Sequence, residues 1–246
     1  MAKPIWLIKQ SAQSNAMDLY IYDDVEGDST NWWTGETTVS ETSANYIKSQ
    51  LDAAIDIQNI NIYINSYGGE VKEGLAIYNQ LKRHPAQKTV YVDGFACSIA
   101  SVIAMAGDKV IMGPNTLMMI HHASMGAWGN AEELRKAAND VETIDSASCS
   151  SYLAKAGDKL TPEKLTELLD AQTWLNAEQC IQYGLADEIA GKEDPVIVAA
   201  QQRFKQSIQE QILQHKNKTK VPENLIKQKT NAEKLMAAFK KNLEGK

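Results

Sequence analysis

Residues 60–69 read Ile-Asn-Ile-Tyr-Ile-Asn-Ser-Tyr-Gly-Gly, and residues 70–92 continue Glu-Val-Lys-Glu-Gly-Leu-Ala-Ile-Tyr-Asn-Gln-Leu-Lys-Arg-His-Pro-Ala-Gln-Lys-Thr-Val-Tyr-Val. Ile60, Ile62 and Ile64 recur every second residue, the period of a strand. The adjacent glycines then turn the chain. From about Val71 to Arg83 the apolar residues Leu75, Ile77, Tyr78 and Leu81 follow a helical spacing. His84-Pro85 stops that helix, because the residue before proline is pushed out of the helical region. Thr89–Val92 is β-branched and aromatic again and reads as the next strand. Strand, helix and strand in succession imply parallel strands joined by a crossover helix.

The same alternation extends both ways. Asp18–Tyr22 reads as a strand, residues 23–37 as an acidic loop or hairpin carrying Trp32-Trp33, and residues 41–54 as a helix through Tyr46, Ile47, Leu51 and Ala54. Downstream, the small apolar run Ser98–Ala106 is closed by Gly107. Lys109–Met112 and Leu117–His121 read as strands, and about 131–156 as a long helix. A further helix opens at Thr161-Pro162, and a last short one covers 176–183 before Gly184. The expected class is α/β on a mainly parallel sheet.

At 246 residues, with 43% hydrophobic and 23% charged residues, the chain has the composition of a globular protein able to bury a core unaided. No run approaches a membrane span, and no apolar stretch of signal-peptide length follows Met1, so the expectation is a cytoplasmic protein. Cys97, Cys149 and Cys180 form no CxxC pair, which predicts reduced thiols and neither zinc nor redox chemistry. Neither GxGxxG nor GxxxxGK[ST] occurs, so no nucleotide cofactor is expected. Charge divides the chain. Residues 192–246 hold 12 Lys and Arg against 6 Asp and Glu, leaving residues 1–191 strongly acidic. The domains are therefore read as 1–191 and a basic helical tail, 192–246. The tail's apolar spacing (Phe204, Ile208, Ile212; then Leu235, Met236, Phe239) fits two solvated helices better than a nucleic-acid groove. The composition break near Gly191 predicts its removal by self-cleavage.

Three segments could carry chemistry. Gly68-Gly69 lets backbone N–H groups approach a ligand. Ser98 sits at the start of a helix, where its Oγ either caps the helix or acts as a nucleophile with the Ile99 N–H facing the same space. His121 and His122 end a strand, and alternation lets only one of them face a given partner. Each is unspecific alone. Gly-Gly after a strand, Gly-x-x-x-Ser at a helix start and a strand ending in His are specific in that order.

The pattern resembles the proteolytic subunit of the Clp protease. The resemblance rests on Ile64-Asn-Ser-Tyr-Gly-Gly69, Gly74–Asn79, Gly94-Phe-Ala-Cys-Ser98, Met119-Ile-His121 and Tyr183-Gly-Leu-Ala-Asp187, and it covers about 18–190. Lys82-Arg-His-Pro85 and Ser101–Gly107 look most like the prophage members, the head-maturation proteases. The resemblance implies a spiral of β-β-α units as in the crotonase-like folds, and a serine endopeptidase with Ser98 as nucleophile and His121 as base. It implies oxyanion donors at Gly69 and Ile99, no cofactor, a homo-oligomeric ring, and phage scaffold or capsid proteins as partners. It carries over no ATPase partner, because the N-terminal region does not match the family's axial-loop segment. The family's triad acid falls at Gln172, which leaves three options: Asp170 swings in as the third member, the expectation favoured here, Gln172 orients His121 through its amide oxygen, or the unit is a Ser-His dyad. Competing readings are a non-catalytic assembly protein, a crotonase-type acyl-coenzyme A enzyme, and Cys97 as nucleophile.

Overall fold

Ile60, Ile62 and Ile64 are fully buried along one face of a strand, and Tyr63 lies on the other. That strand, β5 (Asn59–Ser66), is central to a computed structural model that describes residues 9–10, 15–54 and 56–191. The expected tail helices at 192–246 lie outside the described residues.

β1 (Lys9–Gln10) pairs antiparallel with β2 (Ala16–Ile21), and β2 pairs parallel with β5. Tyr20 stacks on Tyr63 at 4.7 Å and Tyr63 on Tyr91 at 5.1 Å, so cross-strand rings fix the register that the buried isoleucines require. Between β2 and β5 come the exposed hairpin β3 (Ser29–Thr30) and β4 (Thr37–Thr38), then α1 (Ala44–Ala53). α1 opens on Ser43, whose hydroxyl accepts the Tyr46 N–H. α2 (Val71–Arg83) has the expected bounds and buries Ile77 and Leu81. Each such side chain contributes about 1.5–3 kcal/mol.

β6 (Gln87–Cys97) runs well past the expected end at Val92. Its first half pairs parallel with β7 (Lys109–Met112), and Phe95–Cys97 pairs parallel with β8 (Leu117–Ile120). The Asp93-Gly94 pair is an irregularity inside the strand, not its end: the register shifts between Ile64↔Val92 and Ser66↔Ala96. The Asn65 side chain fills the gap, its Oδ1 accepting the Phe95 N–H at 3.2 Å.

α3 (Ile99–Ala104) is wholly buried. α4 (Ala131–Ala156) starts at an Asn130–Glu133 capping box and buries residues only toward its end, Tyr152 among them. α5 (Pro162–Asp170) opens with Thr161 as cap and Pro162 in the first turn, as expected. β9 (Thr173–Asn176), which strand patterning did not reveal, pairs antiparallel with β8. α6 (Ala177–Gln182) leads to β10 (Glu188–Ile189), parallel to β7. The α/β class with a mostly parallel sheet is as expected. No described helix is long and apolar enough to cross a membrane.

Candidate active site

Ser98 directly follows β6 at φ 52°, ψ −129°. A positive φ on a residue with a Cβ costs about 1–3 kcal/mol and persists only when its surroundings over-determine it. Here they do. The Ser98 N–H donates to the Met119 carbonyl at 2.8 Å. The Ser98 carbonyl accepts the Ser101 N–H at 3.0 Å and the Ser101 hydroxyl at 2.6 Å. Ser101 Oγ also lies 2.6 Å from Tyr152 Oη. With the one Ser101 hydroxyl proton spent on Ser98, the tyrosine is the donor in that contact. A buried relay thus runs from α4 to the Ser98 turn.

Ser98 occupies the cap position of α3 but makes no capping bond. Its Oγ lies 2.8 Å from His121 Nε2 instead. His121 reaches it because β8 pairs with the end of β6, with Cys97 opposite Met119. The two side chains are therefore brought together by strand register.

Across the turn sit Gly68 (φ 103°) and Gly69 (φ 147°). A Cβ on Gly68 would stand 2.7 Å from the Ser98 Cβ, and one on Gly69 would stand 2.2 Å from the Val25 carbonyl oxygen. Only glycine fits either place. The Gly68 N–H is used by Ser66 Oγ at 3.0 Å. The N–H groups of Gly69 and Ile99 have no acceptor among the described residues. Tyr67, Phe95 and Trp174 form a row of edge-to-face rings at 5.6 and 5.4 Å. Phe95 opposes Leu117 and Trp174 opposes Met119, so both rings share the sheet face of His121. The part of Phe95 in this row is not legible in the sequence, where a lone aromatic in a strand carries no such signal.

The expected third residue is placed otherwise. Asp170 Oδ1 lies 3.1 Å from His122 Nε2, on the neighbouring histidine. His122 Nδ1 meets Asp145 Oδ2 at 2.6 Å, and Asp145 Oδ1 accepts the Ala123 N–H at 2.7 Å. Burial of the His122 ring opposes its charged form. The Asp145 and then Asp170 contacts outweigh burial and hold its pKa above the usual value. The β8–β9 ladder explains the placement. Ile120 opposes Thr173, so the next step beyond the ladder brings Gln172 opposite His121, and Asp170 lies two residues further along. Gln172 is exposed, sits at φ 47°, and makes no side-chain hydrogen bond among the described residues. No described carboxylate contacts His121 Nδ1.

Cys97, the alternative nucleophile, is fully buried, and burial pushes its thiol up to about 11. It presents neither exposure nor thiolate. A cavity of about 350 Å³ borders Asp23, Asp24, Glu26 and residues 38–42. Neither Ser98 nor His121 lines it.

A family model described as Clp protease matches residues 34–193 of the chain. The chain belongs to the Clp protease family. It is similar to the ATP-dependent Clp protease proteolytic subunit of Deinococcus radiodurans, 36% identical over 158 residues, which cover 62% of this chain and 76% of the relative. The subunit of Ligilactobacillus salivarius is 34% identical over 189 residues, 74% of this chain and 93% of the relative. Proteolytic subunit 1 of Streptomyces avermitilis is 31% identical over 172 residues, 68% and 78% respectively. Membership of this family makes the chain a serine-type peptidase, and the crotonase-type alternative falls away.

Proposed function

We propose that the chain hydrolyses peptide bonds with Ser98 as nucleophile and His121 as general base. The observation that carries this reading is the 2.8 Å contact between Ser98 Oγ and His121 Nε2, on a serine held at positive φ. His121 Nε2 takes the hydroxyl proton as Oγ bonds to the carbonyl carbon. The charge that develops on the carbonyl oxygen is met by the N–H groups of Gly69 and Ile99. His121 returns the proton to the amide nitrogen as the C–N bond breaks, leaving an ester on Ser98. Water then attacks that ester, with His121 as base, and frees the acid product. The row Tyr67, Phe95 and Trp174 flanks the path of the bound chain. Neither Asp170 nor Gln172 meets His121, so the working unit is a Ser-His dyad. The amide-for-carboxylate departure at Gln172 makes it slower than a full triad.

The finer assignment is to phage head maturation, with scaffold or capsid protein as substrate and a homo-oligomeric ring as the acting form. Its support is the prophage-type phrases Lys82-Arg-His-Pro85 and Ser101–Gly107. Among the described residues His121 Nδ1 has no partner, and this favours a second reading, an assembly protein that keeps the fold without turnover.

The test is intact-mass spectrometry after incubation with a fluorophosphonate. One adduct on the wild type and none on Ser98→Ala is expected, with peptide hydrolysis falling by about 10³-fold or more in the variant. Unchanged hydrolysis by Ser98→Ala overturns the nucleophile. No adduct on folded, assembled wild type moves the assignment to the assembly protein.

A further inference from the structure

His122 stands one residue beyond the proposed base, and both of its ring nitrogens meet carboxylates on different helices. Nδ1 is 2.6 Å from Asp145 of α4, and Nε2 is 3.1 Å from Asp170, the last residue of α5. An ionised carboxylate only accepts hydrogen bonds, and a neutral imidazole carries one N–H and one lone pair. Neutral His122 can therefore satisfy one of these partners. Holding both takes the imidazolium, with a donor at each nitrogen. The contact pattern itself counts a proton.

We propose that His122 is a positioning residue whose imidazolium clasps α4 and α5 to the end of β8, holding the adjacent His121 ring against Ser98. The role rests on the Ser98–His121 reading above. Its structural support is that the closed clasp and the 2.8 Å Ser98–His121 contact occur together. When the proton leaves, the two arms do not open equally. The Asp145 arm is the shorter, and its carboxylate is also held by the Ala123 N–H. The Asp145 side chain is 14% exposed against 70% for Asp170, which has no second bond among the described residues. The remaining proton stays on Nδ1. The Nε2 lone pair then faces an acceptor, and the Asp170 arm opens. Asp170 is joined through Ala171 and Gln172 to β9, which pairs with the strand that delivers His121, so the opening acts on the base.

The surrounding titratable groups do not take over the role. Cys149, one turn along α4, directs its Sγ at Asp145 Oδ2 at 3.7 Å, and burial and then that carboxylate push its thiol up to about 11. Tyr152, further along α4, is buried with its pKa raised, chiefly by desolvation. Both stay neutral through the range that matters. From β8 the neighbour is His121, and Gln172 and Thr173 on the β9 side carry no charge. The raised pKa of His122 fixes the sign of the pH dependence. Stability from the clasp is full below the unfolded pKa and is lost as pH rises through the higher folded value.

The experiment follows the rate of Ser98 acylation by a fluorophosphonate from pH 5 to 10, with melting temperatures on the same full-length samples. In the wild type the rate rises from the acid side, as a general-base mechanism requires. It then falls by about tenfold at higher pH, the lower side of what an ångström-scale misplacement costs. His122→Gln keeps an N–H donor without titrating and loses the alkaline fall. His122→Lys keeps the charge and moves the fall to higher pH. Asp170→Asn, at an exposed site, guards against a folding defect in the other variants. Its amide can donate to neutral Nε2, so its alkaline fall is shallower than that of the wild type. An alkaline limb at the same pH and depth in the wild type, His122→Gln and Asp170→Asn overturns the proposal. Absence of any wild-type adduct at every pH overturns the Ser98 reading instead, and the positioning role with it. Melting then still reads the clasp: a wild-type melting temperature that falls with rising pH no more than that of His122→Gln shows that there is none.

Discussion

Removing the Ser101 hydroxyl should cost more than removing the hydroxyl it touches. Ser101 Oγ donates to the Ser98 carbonyl at 2.6 Å and accepts from Tyr152 Oη at 2.6 Å, and both residues are buried. Ser101→Ala deletes two hydrogen bonds at about 1 kcal/mol each and strands the Tyr152 hydroxyl in the core, a further cost of about 1–3 kcal/mol. The sum is about 3–5 kcal/mol. Tyr152→Phe deletes one bond and strands no donor, because Ser101 still has Ser98 to donate to, so it costs about 1 kcal/mol. The double variant has no stranded hydroxyl and costs about 2 kcal/mol. The double variant is therefore more stable than Ser101→Ala alone, and the cycle departs from additivity by about 2–4 kcal/mol. Urea unfolding of the four proteins at one fixed chain concentration measures this, which keeps any self-association equal across the set. Fluorophosphonate labelling gives the functional side. Ser101→Ala loosens the support of the positive-φ Ser98, so its acylation slows more than that of Tyr152→Phe. Additive costs, or a Ser101→Ala variant no less stable than Tyr152→Phe, would refute the relay.

Gln172→Asp should restore a carboxylate opposite His121, on a backbone at φ 47° that aspartate tolerates better than most residues. Acylation of Ser98 is expected to accelerate at least about tenfold, within the span that an amide-for-carboxylate change removes elsewhere. An unchanged rate would mean that the 172 side chain does not reach the base. The thiols should be unreactive in the folded protein: burial pushes Cys97 and Cys149 up to about 11 and Cys180 up to about 12, so iodoacetamide at neutral pH should modify none of them quickly before denaturant is added. Cys97→Ser should still give the Ser98 adduct. Gly68→Ala should slow acylation by about 10²-fold, because its Cβ would press on that of Ser98 at 2.7 Å. A normal labelling rate in that variant would show that the turn can yield.

Much of this was legible in the residues. The 3.6 spacing of Leu75, Ile77, Tyr78 and Leu81 and the His84-Pro85 stop gave α2 its observed bounds, because pattern and breaker agree. β6 extends five residues past Val92, where the strand pattern of the sequence ends. Asp93-Gly94 is turn chemistry, and only the tertiary approach of Asn65 makes it a bulge within a longer strand. β9 hid in four residues next to a helix cap, too short for a period to register. At the site, the Gly68-Gly69 turn, Ser98 with the Ile99 N–H, and the histidine pair are readable as an ordered set, and the geometry brings Ser98 Oγ to His121 Nε2 and stands Gly68 against Ser98. The partner of Asp170 was not readable. It depends on which face of the β8 end each histidine takes and on Asp145, which comes from the middle of a long helix with no local signal.

Ser98 and His121 are separated by 22 residues, yet their spacing is set by the parallel pairing of Cys97 with Met119. The intervening chain, α3 and β7 with their turns, does not act as the ruler. Length changes at the exposed Asn115 turn between β7 and β8 should therefore be absorbed locally. A single-residue deletion within Phe95–Cys97 or Leu117–Ile120 slides one strand about 3.3 Å past the other and sends every later side chain to the opposite face. For this pair, catalysis tolerates insertion according to position in the ladder, and sequence distance is a poor guide to which mutations it survives.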